Sequence, residues 1–168
     1  MMRVLVPVDD SPNARHAVRH VIAQALKSGP IEVHLINVQP AFSRHIGQFV
    51  SRRLRADFLR ELGEKALAPA RAMLEGHRIA HAAHIEIGDK ARTIAGAARR
   101  LKCDQIVMAT ARKNSLTRMI EDSTTNQVLE LTPVPVEIIA GDAVSRWERY
   151  GVPAGIGMLI ALLLAAAD

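Results

Sequence analysis

Asp9, Asp10 and Ser11 stand together directly after the apolar run Val4–Val8. Carboxylates in such a place can hold a cation, move a proton or accept a bond from a ligand hydroxyl. No third carboxylate falls nearby, so the sequence favours one ligand-facing Asp and one helix-start residue over a metal or acid–base pair. His16 and His20 have the i, i+4 spacing that can clamp zinc, but no Glu stands between them as a general base, and a solvated helix face is the better reading. His81 and His84 have opposite parity on one strand, so they point to opposite faces and do not share a site. Cys103 is the single cysteine. It excludes an internal disulfide, argues for a reducing compartment, and reads as a small packing residue rather than a redox sensor. There is no G-x-S-x-G elbow and no Walker motif, so nucleophilic catalysis has no visible machinery.

These residues need a scaffold, and the hydropathy pattern supplies one. Val4 to Val8 is a buried strand, closed by a helix start with Ser11 as cap and Pro12 in the first turn. Ala14, Ala17, Val18, Val21, Ile22, Ala25 and Leu26 form a 3.6-residue stripe, which Gly29-Pro30 ends. Ile31 to Val38 is the second strand. Residues 51–76 form a long helix with Leu54, Phe58, Leu62, Leu67, Ala70 and Leu74 on its apolar side and Pro69 as a kink point. Ile79 to Ile87 is the third strand, Gly88-Asp89 a turn, and Ala91 to Leu101 an alanine-rich helix. Asp104 to Thr110 is the fourth strand, Ser123 to Leu131 a helix stopped by Pro133, and Val134 to Ala140 the fifth strand. Strands alternating with helices specify an α/β fold with a parallel, doubly wound sheet. Ligands of such sheets bind beyond the C-terminal strand ends, here Asp9 to Ser11, Gln39-Pro40 and Ala109 through Ser115.

The chain of 168 residues, 49% hydrophobic and 23% charged, has the length and composition of one folded domain. Its formal charge is +5 and its aromatic content 3%, which excludes a base-stacking surface; no specific nucleic-acid partner is expected. Arg44, Arg52, Arg53, Arg55 and Arg60 cluster at the start of the long helix, a solvated face by default and a contact for lipid head groups or RNA in the sharper reading. The first residues do not read as a signal peptide, because the apolar run is short and meets Asp9-Asp10 at once.

Three stretches carry a resemblance to a known family. "MMRVLVPVDDSPNARHAVRHVIAQA", "IEIGDKARTIAGAARRLKCDQIVMAT" and "STTNQVLELTPVPVEII" together resemble the universal stress protein family, over about residues 2–141. The resemblance implies a Rossmann-like, five-stranded parallel sheet of order 3-2-1-4-5. It also implies a homodimer that pairs through the fifth strand, Val134–Ala140. Many members bind ATP through Gly-x2-Gly-x9-Gly-Ser/Thr after the fourth strand. This chain has Ala109, Arg112 and Asp122 where the three glycines belong, and only Ser123 matches. Side chains at Ala109 and Arg112 crowd the approach of backbone N–H groups to phosphate, and Asp122 sets a carboxylate where terminal phosphates would sit. The adenosine half is better kept. By resemblance, Pro7, Asp9 and Val38 fall at positions used around adenine and ribose, with Ser11, Met108, Ala109 and Thr110 beside them, and Arg112, Lys113 and Arg118 supply positive charge. No cofactor is required; the expected ligand is ATP or AMP, bound weakly.

Gly151 to Ala167 contains no charge and no polar side chain over 17 residues. As a helix it would be about 26 Å long, at the short limit for crossing a hydrocarbon core of ~30 Å. Trp147 and Tyr150 precede it as interfacial anchors would, and Arg146 and Arg149 lie on the domain side. The sequence therefore divides into a domain of residues 1–141 and a hydrophobic C-terminal helix of residues 142–168. That helix is either a tail anchor in the inner membrane or a packed interface helix. The expected protein is a non-enzymatic, homodimeric, cytoplasmic stress-response protein that acts by binding an unidentified protein partner. The alternatives are an ATP- or AMP-binding member with slow or no hydrolysis, and an accessory module of a membrane transporter or channel.

Overall fold

The computed structural model of the chain describes residues 1–9, 11–41, 51–112 and 123–143. In chain order the elements are β1 (Met2–Pro7), α1 (Pro12–Ser28), β2 (Ile31–Gln39), α2 (Arg52–Gly76), β3 (His81–Ile87), α3 (Lys90–Arg100), β4 (Gln105–Arg112), α4 (Ser123–Leu131) and β5 (Val136–Ala143). The five strands form one sheet of order β3-β2-β1-β4-β5. Every neighbouring pair is parallel. The expected α/β class and strand order are therefore what the chain adopts.

Sequence chemistry explains where the elements start and stop. Ser11 caps α1 by accepting a bond from the Ala14 N–H, with Pro12 at the first helical position, where its missing N–H costs nothing. Gly29 ends that helix at φ 98°, a conformation side chains resist. Ser51 accepts from Leu54 N at the start of α2, and Asp89 from Arg92 N at the start of α3.

Two apolar layers sandwich the sheet. On one face Val4, Val6 and Val8 of the β1 segment and Val33 and Leu35 of β2 pack with Val18 and Val21 of α1 and Leu67 and Leu74 of α2. On the other, Leu5, Ile36, Val38, Ile106 and Met108 pack with Ile94 and Ala98 of α3 and Val128 of α4. β1 and β2 contribute to both layers, which is why they read as near-continuous apolar runs.

Two details depart from the pattern-based expectation. Leu54, Phe58 and Leu62 are exposed by 62%, 50% and 38%, while Leu59, Gly63 and Ala66 form the buried line of that part of α2. Residues four apart advance about 40° around a helix of 3.6 residues per turn, so the Leu54–Phe58–Leu62 row rotates away from the sheet. The fifth strand begins at Val136 rather than Val134 and runs to Ala143. Pro135 lies just outside it, and its carbonyl accepts from Ile106 N at 2.8 Å. Among the described residues no helix is long and apolar enough to cross a membrane. Gly151–Ala167 lies outside the described residues.

Candidate functional site

The doubly wound topology opens a crevice where the chain leaves β1 in one direction and β4 in the other. β1 and β4 pair at Val4↔Gln105 and Leu5↔Ile106. β1 pairs with β2 as far as Pro7↔Ile36, and Val8 N then donates to Ile36 O at 2.8 Å. The C-terminal strand ends thus bring Pro7, Asp9, Ser11, Val38, Met108, Ala109 and Thr110 to one end of the sheet. Arg112 belongs to β4, beyond an irregularity in the β4–β5 ladder at Thr110/Arg112. Ser123 begins α4. Asp10, Lys113, Arg118 and Asp122 lie outside the described residues.

Asp9 is held in place by the helix it precedes. Its Oδ1 accepts from Ser11 N at 3.1 Å and from Ser11 Oγ at 2.5 Å, while the same hydroxyl oxygen accepts from Ala14 N at 3.3 Å. Ser11 is therefore both cap and tether. The carboxylate sits at the N-terminal end of α1. Both bonds fall on Oδ1, leaving Oδ2 as an acceptor for a ligand hydroxyl. Below it, Asn37 is buried at 3% exposure, its Nδ2 donating to Val8 O at 2.7 Å and its Oδ1 accepting from Gln39 Nε2 at 2.7 Å. That chain of amides ties the ends of β1 and β2 together and fixes the backbone that carries Asp9.

The sequence did not point to the opposite wall. A small, shallow hollow lies between Val8, Asp9 and Ser11 and the α2 residues Ala66, Pro69 and Ala70. Small side chains in a helix give no hydropathy signal for a binding wall; only the packing of α2 against α1 reveals it.

The remaining polar residues separate. His16 contacts the Arg19 guanidinium at 2.9 Å. His20 Nε2 lies 3.0 Å from Glu137 Oε1 of β5, so the two histidines do not converge. His81 and His84 also engage different partners: Glu75 at 3.9 Å for the former, His34 at 3.1 Å for the latter. Among the described residues no group of three His, Cys, Asp or Glu side chains is placed to hold a metal.

Cys103 is buried at 7% exposure, and burial pushes its thiol up to about 11. Ellman's reagent at pH 8 should then label the folded protein about a hundredfold more slowly than the unfolded chain, because the thiolate is the nucleophile. Equal rates would show that the thiol is accessible and ionised.

A doubly wound α/β domain with a parallel sheet of order 3-2-1-4-5 is the class that this fold defines. The chain belongs to the universal stress protein family, whose model matches residues 1–140. It is 25% identical over 139 residues to the universal stress protein MJ0531 of Methanocaldococcus jannaschii, covering 82% of this chain and 81% of that one. Its fold is similar to that of UspA from Lactobacillus plantarum, at TM-score 0.67 and 22% identity over 82% of this chain and 97% of the other. It is likewise similar to an Arabidopsis thaliana family member solved with AMP bound, at TM-score 0.63 and 15% identity over 91% and 97% of the two chains.

Proposed function

We propose that this universal stress protein domain binds an adenosine monophosphate at its strand ends, discriminates against ATP, and acts by presenting a surface to a protein partner rather than by catalysis. The observation that carries this reading is the Asp9–Ser11 tether just beyond the C-terminal end of β1. It holds a carboxylate oxygen for a ribose hydroxyl at the place where doubly wound sheets take ligands. Discrimination against ATP rests on Ala109, Arg112 and Asp122, which stand where the glycines of the triphosphate cradle belong. By the family's motif, these positions bring side chains and one carboxylate where bare backbone N–H groups would bind phosphate. The AMP-bound Arabidopsis relative supports the ligand class.

Calorimetry should give AMP at least about tenfold tighter binding than ATP with Mg²⁺, a difference of roughly 1.4 kcal/mol. Micromolar ATP affinity would overturn the proposal, as would ATP hydrolysis that depends on this chain.

We assign the homodimer contact to β5, an edge strand whose Ile138 remains 44% exposed. The apolar stretch Gly151–Ala167 favours a cytoplasmic domain tethered to the inner membrane, where it could serve a transporter or channel as an accessory module. Full-length protein should then leave membranes only with detergent. Release by high salt alone would favour a tail packed within an oligomer.

A further inference from the structure

A second cluster lies away from the nucleotide crevice, on the face of the sheet covered by α3. His34 of β2 and His84 of β3 meet across the seam between these strands, which are in register at His34↔Ala82 and Ile36↔His84. His34 Nδ1 and His84 Nε2 are 3.1 Å apart, with ring centroids 5.4 Å apart. His34 is 7% exposed, and its Nε2 is buried with no hydrogen-bond partner. That nitrogen lies 3.6 Å from Glu32 Oε1, and Arg3 Nε of β1 donates to the other oxygen of the same carboxylate at 2.9 Å. On the far side of His84 the charged neighbours are Glu86 of β3 and Arg100 of α3, which pair with each other.

The proton count in this cluster decides whether the seam holds. Facing ring nitrogens make a hydrogen bond only if one donates and the other accepts. With both rings neutral, His84 Nε2–H donates to His34 Nδ1, and the His34 Nε2–H points toward Glu32. With one added proton, one ring carries both N–H groups, and it can still donate to the neutral ring beside it. With two, a donor faces a donor at 3.1 Å and two like charges share a part-buried site.

We propose that the His34–His84 pair is a proton-operated latch that ties the edge strand β3 to the sheet, and that opens when the second ring takes up its proton. β3 runs on from the latch toward the C-terminal end of β2. β3 continues from His84 to Glu86, which registers against Val38, and Gly88 N then donates to Gln39 O at 3.0 Å. Burial first, and His34 second, hold the His84 imidazole below the usual histidine range, as expected for a ring kept neutral. The sign follows from linkage. A base depressed in the folded state contributes stability above the ordinary histidine range, and that contribution is lost as pH falls through the depressed value. At the start of the same strand, His81 Nε2 lies 3.9 Å from Glu75 Oε1.

Hydrogen exchange on the full chain at pH 7.5 and 5.5, corrected for intrinsic rates, tests this. Amides of Ala82–Ile87 should lose protection by about tenfold or more on acidification, while those of central β1 hold theirs. Substituting His84→Gln should abolish the pH dependence at β3. His34→Leu should do the same, and serves as the second variant should the first fold poorly. A merely structural contact would lower protection equally at both pH values in either variant. Loss of protection in β1 and β3 together, or an unchanged pH response in both variants, would overturn the proposal.

Discussion

Gly63→Val should be strongly destabilising on the buried face of α2, lowering unfolding free energy by about 3 kcal/mol. Gly63 is a helical glycine facing β3. A Cβ there would lie 2.7 Å from Ile85 Cγ2 and 2.9 Å from Ile85 Cγ1. Both atoms sit on the first branch of a β-branched side chain, so neither can swing aside without turning χ1 against the strand. The substitution therefore drives α2 off β3 or forces Ile85 out of its rotamer. Gly63→Ala is a sharper diagnostic. Helix propensity alone would make it stabilising by ~1 kcal/mol, so a net loss in urea denaturation isolates the steric term. Combining it with Ile85→Ala should recover most of that loss, since the two sites share one contact. A stabilised Gly63→Ala single variant would show that α2 shifts freely over β3 and that the close approach carries no weight.

That contact also shows what the amino-acid pattern could and could not reveal. The five strands, their alternation with helices and the start of α1 were legible because each has a local cause: β-branched runs, Ser11 before Pro12, Gly29 before Pro30, Pro133 after Leu131. The first half of α2 was misread because hydropathy counts Leu54, Phe58 and Leu62 but gives little weight to Gly63 and Ala66. The sheet selects these small residues for closeness, not for apolar area. The candidate site divides in the same way. Asp9, Ser11 and the strand-end residues follow from the strand–turn–helix signature, whereas the wall of Ala66, Pro69 and Ala70 depends on how two distant helices dock. His34 escaped attention for a related reason. In IEVHLINV it reads as one more residue of a buried strand, and its partner His84 lies fifty positions away, reached only through the β2–β3 register.

Asp9→Ala should weaken AMP binding by about ten- to hundredfold while leaving the fold intact. A hydrogen bond to a charged group contributes about 1.5–3 kcal/mol, and Asp9 is an exposed residue with no part in the core. Ser11→Ala separates positioning from contact. It removes the α1 cap, which costs roughly 1 kcal/mol of stability, and releases the hydroxyl tether on Asp9 Oδ1. Affinity should then fall by less than in Asp9→Ala, because the Ser11 backbone N–H still holds the carboxylate at 3.1 Å. The double variant should bind no more weakly than Asp9→Ala alone, since Ser11 acts on the ligand only through Asp9. Calorimetry with AMP on the three variants reads this directly, with thermal unfolding as the control for the lost cap. Additive losses would mean that Ser11 touches the ligand itself. Unchanged affinity in Asp9→Ala would move the adenosine site away from the end of β1 altogether.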